Sequence, residues 1–70
     1  MKIKFVIKAL YLNKSPEESY YTGEEDSAHM WSNISVAQRF NSEKDAEIYF
    51  ITFVGVSWLP IEIKKIYEKV

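Results

Sequence analysis

The 70-residue sequence lacks cysteine altogether and contains only two glycines, two prolines and one histidine. Without cysteine, neither a disulfide framework nor a thiolate metal site can form. Two glycines do not make a glycine-rich phosphate loop. No second histidine accompanies His29 to complete a metal site, and no nucleophile with an orienting group can be placed beside it. We therefore expect a structural His29, no metal, no cofactor and no catalysis.

Long apolar runs are also missing. No stretch approaches the roughly 18 residues that a membrane span needs, and no charged-then-apolar leader begins the sequence. We expect a cytoplasmic protein without a membrane partner. What is abundant is core-forming material, because 47% of the residues are hydrophobic and 16% are aromatic. A chain of this size needs such density to fold, so residues 1–70 are expected to form a single domain.

Charge is distributed unevenly along the chain, although the net charge is only −1. Residues 15–38 hold five acidic residues and no lysine or arginine, which are Glu17, Glu18, Glu24, Glu25 and Asp26. The remaining residues carry an excess of four positive charges. The charge is therefore polarised along the chain, with an acidic segment over residues 15–38.

The clearest local pattern predicts a helix over residues 43–54. Ser42 precedes an acidic turn in the Ser-x-x-acid arrangement that caps a helix, and Gly55 follows where a left-handed residue ends one. One face is apolar at helical spacing, with Ile48, Ile51 and Val54 widening the stripe; its members are Ala46, Tyr49, Phe50 and Phe53. Upstream, Ile34, Ala37 and Phe40 predict a short helical turn over 33–38 with Ser32 as its N-cap, and both helices are expected to form the core.

Alternating residues predict strands before this helix. Residues 2–12 are predicted to form a strand in which apolar side chains face the core and lysines face outward. The core-facing residues are Ile3, Phe5, Ile7, Ala9 and Tyr11, and the lysines are Lys2, Lys4 and Lys8. Turn residues at 13–16 lead to a second, antiparallel strand over 19–22, which ends at Gly23. A charged loop over 24–27 then precedes a short strand over 28–31.

The C-terminal segment fits two structures. Residues 61–64 alternate as a strand would, whereas Leu59, Ile63, Ile66, Tyr67 and Val70 lie at helical spacing. The density of β-branched residues favours the strand, with a bulge at Lys64 and Lys65 to shift the alternation. The predicted fold is α+β: a small antiparallel sheet of three to four strands with one main α-helix packed on one face.

One pattern resembles that of a known group of proteins. Trp31, Ala37, Phe40, Ser42, Ala46 and Tyr49 form W-x5-A-x2-F-x-S-x3-A-x2-Y, and the chain opens with the lysine-rich strand MKIKFVIK. Both features are similar to those of very small strand-plus-helix proteins encoded by bacteriophages and mobile elements, including anti-CRISPR inhibitors. The resemblance implies a bacterial host cell as the setting and assigns no functional residue.

The first functional hypothesis is a protein-binding module. Carboxylates beside aromatic residues suit a basic surface, and the candidate face consists of Glu17, Glu18, Tyr20, Tyr21, Glu24, Glu25, Asp26 and Trp31. Together with the resemblance, this indicates a phage-type inhibitor of a host protein, such as a CRISPR-Cas or other nucleic-acid-handling complex. The plainer alternative is that the acids only keep a hairpin soluble.

Two further hypotheses remain open. The lysines of the terminal strands would bind nucleic acid if they shared one sheet face, with Tyr67 stacking on a base; they are Lys2, Lys4, Lys8, Lys64, Lys65 and Lys69. A sequence pI near 5.8 argues against this alternative. The third hypothesis is a structural homodimer formed through a sheet edge or through exposed aromatic residues.

Overall fold

The chain forms a four-stranded antiparallel sheet with one helix on one of its faces, which confirms the predicted α+β class. This computed structural model describes residues 2–10, 15–24, 29–54 and 60–69, with the backbone alone at residues 53 and 54. The strands are β1 (Lys2–Ala9), β2 (Tyr20–Tyr21), β3 (Trp31–Ser32) and β4 (Ile61–Glu68), in the spatial order β3-β2-β1-β4. The helix α1 covers Glu43–Tyr49 and continues as a π-helix over Phe50–Val54.

Strand β1 lies at the centre of the sheet. One edge pairs with β4 in an unbroken register from Lys2 opposite Glu68 to Ala9 opposite Ile61. On the other edge, Lys8 pairs with Tyr20 of β2. Further along the same edge, Phe5 forms an isolated antiparallel bridge with Phe40, in which both N–O distances are 2.9 Å. Both edges of the strand are therefore hydrogen-bonded, and the predicted alternation is confirmed over Lys2–Ala9, except that Ile3, which was expected in the core, is 48% exposed.

The main core lies between the helix and the sheet face formed by the odd-numbered residues of β1. Its buried members are Ile7, Ala9, Tyr21, Trp31, Phe40, Ala46 and Phe50. The aromatic rings meet edge to face or tilted, as their quadrupoles favour, with ring centroids 5.7 Å apart for Tyr21 and Trp31. This packing joins β3 and β2 to the helix.

A second, smaller core lies on the opposite face of the sheet. Val6 is fully buried there with Tyr20 and Ala37, and Ile66 of β4 packs against them. The segment that crosses this face includes a 3-10 turn over Ile34–Val36. Arg39 fixes the segment, because its guanidinium donates to the carbonyls of Ile34 and Ala37 and forms an ion pair with Glu68 at 3.0 Å.

The second core explains an error in the sequence prediction for β4. The strand itself is confirmed, but the bulge predicted at Lys64 and Lys65 is wrong because the register with β1 has no interruption. Ile63 packs into the main core and Ile66 into the second, on opposite faces of a regular strand. The spacing of apolar residues in β4 therefore changes between Ile63 and Ile66 because these two side chains pack into different cores.

The helix begins where predicted, with the Ser42 hydroxyl accepting the Asp45 amide at 3.0 Å. Ala46 and Phe50 are buried, as expected. The widened stripe is wrong, since Ile48 and Ile51 are 52% and 60% exposed on the outer side of the helix.

The preceding 3-10 turn is capped by Asn33 rather than by Ser32, because the Asn33 side chain accepts the Ser35 amide. Ile34 is 39% exposed in this turn and does not join the core, whereas Ala37 and Phe40 do. Strands β2 and β3 occupy two residues each, within or beside the predicted ranges. Tyr11, the turn at 13–14, Gly55 and Val70 lie outside the described residues. In the described ranges, no helix has the length and apolarity to cross a membrane.

Candidate binding surfaces

The three aromatic residues of the predicted partner face are buried. Tyr20, Tyr21 and Trp31 expose 8%, 4% and 8% of their surfaces. Tyr20 belongs to the second core, whereas Tyr21 and Trp31 belong to the main core on the other side of the sheet. These rings therefore stabilise the fold, and Tyr20 and Tyr21 offer little contact area to a partner, whereas Trp31 also lines the cleft described below.

The acidic residues behave differently. Glu17 and Glu18 are exposed in a 3-10 turn over Pro16–Glu18, which begins with a proline at the position where its fixed φ favours helical geometry. The turn is closed by the Ser15 carbonyl, which accepts the Glu18 amide at 3.0 Å and the Ser19 hydroxyl at 2.9 Å. Glu24 is also exposed. Glu25 and Asp26 lie outside the described residues.

Two of these carboxylates line an open cleft of about 320 Å³ at the β2–β3 end of the sheet. This acidic cleft is lined by Glu18, Thr22, Glu24, His29, Trp31, Ser32 and Val36. Its volume is at the low end of the roughly 300–1,000 Å³ of small-ligand pockets. The acidic cleft can therefore admit a side chain or a short segment of a partner.

Thr22 organises the wall of the acidic cleft. Its hydroxyl donates to the His29 carbonyl at 2.7 Å and accepts the Glu24 amide at 3.2 Å, while its own amide donates to the Met30 carbonyl at 2.8 Å. Gly23 follows with φ of +89°, a conformation that glycine adopts without steric cost. The turn after β2 thus places Glu24 beside the start of β3.

Sequence reasoning missed four residues of the acidic cleft: Thr22, His29, Ser32 and Val36. Only their position within residues 15–38 pointed to them, because none belongs to a recognisable motif. Carboxylates and hydroxyls in a concave site favour a cationic or hydrogen-bond-donating partner. Within the described part of the chain, no group of three or more His, Cys, Asp or Glu residues is arranged to hold a metal ion.

A second charged surface lies on the face of the sheet away from the helix. The terminal strands are neighbours, and their register places Lys2, Lys4, Lys8 and Lys64 on this side, which we call the lysine face. Lys65 and Tyr67 lie opposite Phe5 and Ile3, on the helix side. The idea that all the lysines share one face with Tyr67 is therefore wrong for these two residues.

Comparison with other proteins gives no relationship: no family model matches the chain, and no curated protein or solved structure is significantly similar to it. The structure does account for the W-x5-A-x2-F-x-S-x3-A-x2-Y pattern. Four of its residues are buried in the two cores, Ser42 caps the helix, and Tyr49 packs against Phe40 with ring centroids 5.3 Å apart. This pattern encodes packing and a helix start.

Proposed function

We propose that the chain is a non-catalytic binding module that docks its acidic cleft onto a basic surface of another protein. The observation that carries this proposal is the concave site at the β2–β3 end, lined by the exposed carboxylates of Glu18 and Glu24. Glu17 adds a third exposed carboxylate in the same 3-10 turn as Glu18. A basic partner would be attracted by this charge and would gain hydrogen-bond acceptors on contact.

The absence of positive charge from the acidic segment supports the proposal. Residues 15–38 contain no lysine or arginine to neutralise these carboxylates. Arg39, the next cation along the chain, is engaged by Glu68 of β4, at the edge of the sheet opposite β3. A cation from a partner would therefore meet carboxylates that no lysine or arginine of the same segment neutralises.

The finer form of the proposal concerns the partner. Basic surfaces are typical of proteins that handle nucleic acids, and an acidic module that covers one blocks access to it. We place the protein in the cytoplasm of a bacterial host cell as a phage-type inhibitor, in line with its resemblance to small phage-encoded and anti-CRISPR proteins. The partner class is a CRISPR-Cas or another nucleic-acid-handling complex.

A capture experiment with matched charge reversals tests the proposal. Tagged wild-type protein, Glu18→Lys/Glu24→Lys and the control Glu43→Lys/Glu47→Lys are incubated with nuclease-treated bacterial lysate, and bound proteins are identified by mass spectrometry. The control removes two exposed carboxylates from α1, away from the acidic cleft. Circular dichroism establishes that all three proteins fold.

We expect one basic protein to be retained by the wild type and the control and lost from the cleft variant. Its recovery should also fall with added salt, because exposed charges separated by more than the Debye length of about 10 Å at 0.1 M are screened. Equal recovery by all three proteins, or no protein above background, would contradict the proposal.

A further inference from the structure

We infer that the lysine face binds the phosphate backbone of nucleic acid, independently of base sequence. This surface shares no residue with the acidic cleft and is formed by β1 and β4 on the side of the sheet away from the helix. Backbone binding requires only a row of cations at a spacing that follows the charged polymer. The register of the two terminal strands supplies that row.

The positive charge of the lysine face is not cancelled internally. None of its four lysines makes an ion pair with a carboxylate in the described part of the chain, although Lys2 and Lys8 lie opposite Glu68 and Glu62. Glu68 is engaged by Arg39 instead, and the Lys4 ammonium donates to the neutral side chain of Asn41. The charges of Arg39 and Glu68 cancel each other. The four lysines and the single remaining carboxylate, Glu62, then give this face a local charge of +3.

The geometry suits a linear anion. Lys2, Lys4 and Lys8 lie along one strand at a rise of about 3.3 Å per residue, so they span about 20 Å, on either side of Val6, which the segment at Ala37 covers. Lys64 lies beside them, opposite Val6 on the neighbouring strand. Lys4, Lys8 and Lys64 are half-buried, and the Lys8 ammonium lies over the Tyr20 ring, 5.7 Å from its centroid.

The same face lacks the means to read bases. Among the described residues, it presents no exposed aromatic ring, because Tyr20 is buried and Tyr67 lies on the helix side. Without stacking or the bidentate arginine contacts that read guanine, recognition is limited to phosphates. Binding should therefore be weak, insensitive to sequence and strongly dependent on salt.

The test is fluorescence anisotropy of a short labelled DNA duplex titrated with the full chain between about 20 and 200 mM NaCl. For the wild type, we expect log K to fall with log salt concentration at a slope of about −3 to −4, since each phosphate contact contributes about −0.9. A duplex of scrambled sequence should give the same curve.

Two charge-matched variants locate the surface. Lys4→Gln/Lys64→Gln removes two cations from the lysine face, and Lys44→Gln/Lys65→Gln removes two from the helix side. The first should reduce the slope by about 2 and weaken binding at least tenfold at low salt, whereas the second should change neither quantity appreciably. Glu62→Gln, which keeps every lysine, should tighten binding.

Three outcomes would overturn the inference. One is the absence of binding at the lowest salt concentration, and another is an equal loss from the two lysine variants. The third is binding to vesicles that contain phosphatidylserine without any binding to the duplex. None of these outcomes bears on the acidic cleft, whose capture experiment is performed after nuclease treatment.

Discussion

At the scale of single residues, Val6 shows how the second face of the sheet contributes to stability. Its side chain is 0% exposed although it lies among the lysines of β1. Val6→Ala removes two buried methyl groups and leaves a cavity, so the free energy of unfolding should fall by about 2 kcal/mol. Urea denaturation followed by circular dichroism measures this change.

The matched control for that prediction is Val36→Ala, the same chemical change at a residue that is 54% exposed. We expect it to alter the free energy of unfolding by less than about 0.5 kcal/mol. Equal effects at the two positions would mean that Ala37 and Ile66 do not form a core with Val6.

The tyrosines of β2 show why burial was the least predictable property at this scale. Alternation in a strand of two residues says that Tyr20 and Tyr21 lie on opposite faces, but not which face is covered. The sheet is covered on both sides, by α1 on one and by the segment at Ala37 on the other, so both rings are buried. The exposure of the carboxylates could be predicted without knowing which face is covered, because unpaired charged side chains are rarely buried in a core.

At the scale of elements, local patterns predicted what local chemistry determines. The cap at Ser42 and the alternation of β1 were predictable because each depends on neighbours in sequence. The β4 register depends on β1, which lies more than fifty residues earlier, so a change in spacing was mistaken for a bulge. The acidic cleft was unpredictable for the same reason, since it combines residues that are distant in sequence. They come from the two 3-10 turns, from strand β3 and from the turn that follows β2.

The helix offers a direct test of its capping interaction. Ser42→Ala removes the oxygen that accepts the Asp45 amide, and the α-helical part of the segment is only seven residues long. The free energy of unfolding should fall by about 1 kcal/mol. Ser42→Asn, which retains an acceptor, should lose much less. Equal urea midpoints for Ser42→Ala and the wild type would show that packing of Ala46 and Phe50 alone fixes the helix start.

At the scale of the whole molecule, the fold determines how far apart the acidic and basic residues lie in space. Strands β3 and β4 are at opposite edges of the sheet, three strand spacings of about 4.8 Å apart, or about 14 Å. The acidic cleft includes residues of β3, whereas Lys64 lies on β4. This separation exceeds the Debye length of about 10 Å at 0.1 M salt, so Lys64 should be largely screened from charges at the β3 edge. Lys8 of β1 lies only two strand spacings, or about 10 Å, from Ser32 of the acidic cleft and should be only partly screened.

Lys64 should therefore act independently of the acidic cleft near physiological salt. The effect of Glu18→Lys/Glu24→Lys on the affinity for the DNA duplex at 0.1 M salt should add to that of Lys64→Gln within about 0.5 kcal/mol. At about 20 mM salt the Debye length exceeds 20 Å, and the same reversal should tighten DNA binding by removing repulsion across the molecule. Anisotropy titrations of the four proteins at both salt concentrations measure the coupling. A strong effect of the cleft reversal at 0.1 M would mean that phosphates reach the β2–β3 end and that the two surfaces are one.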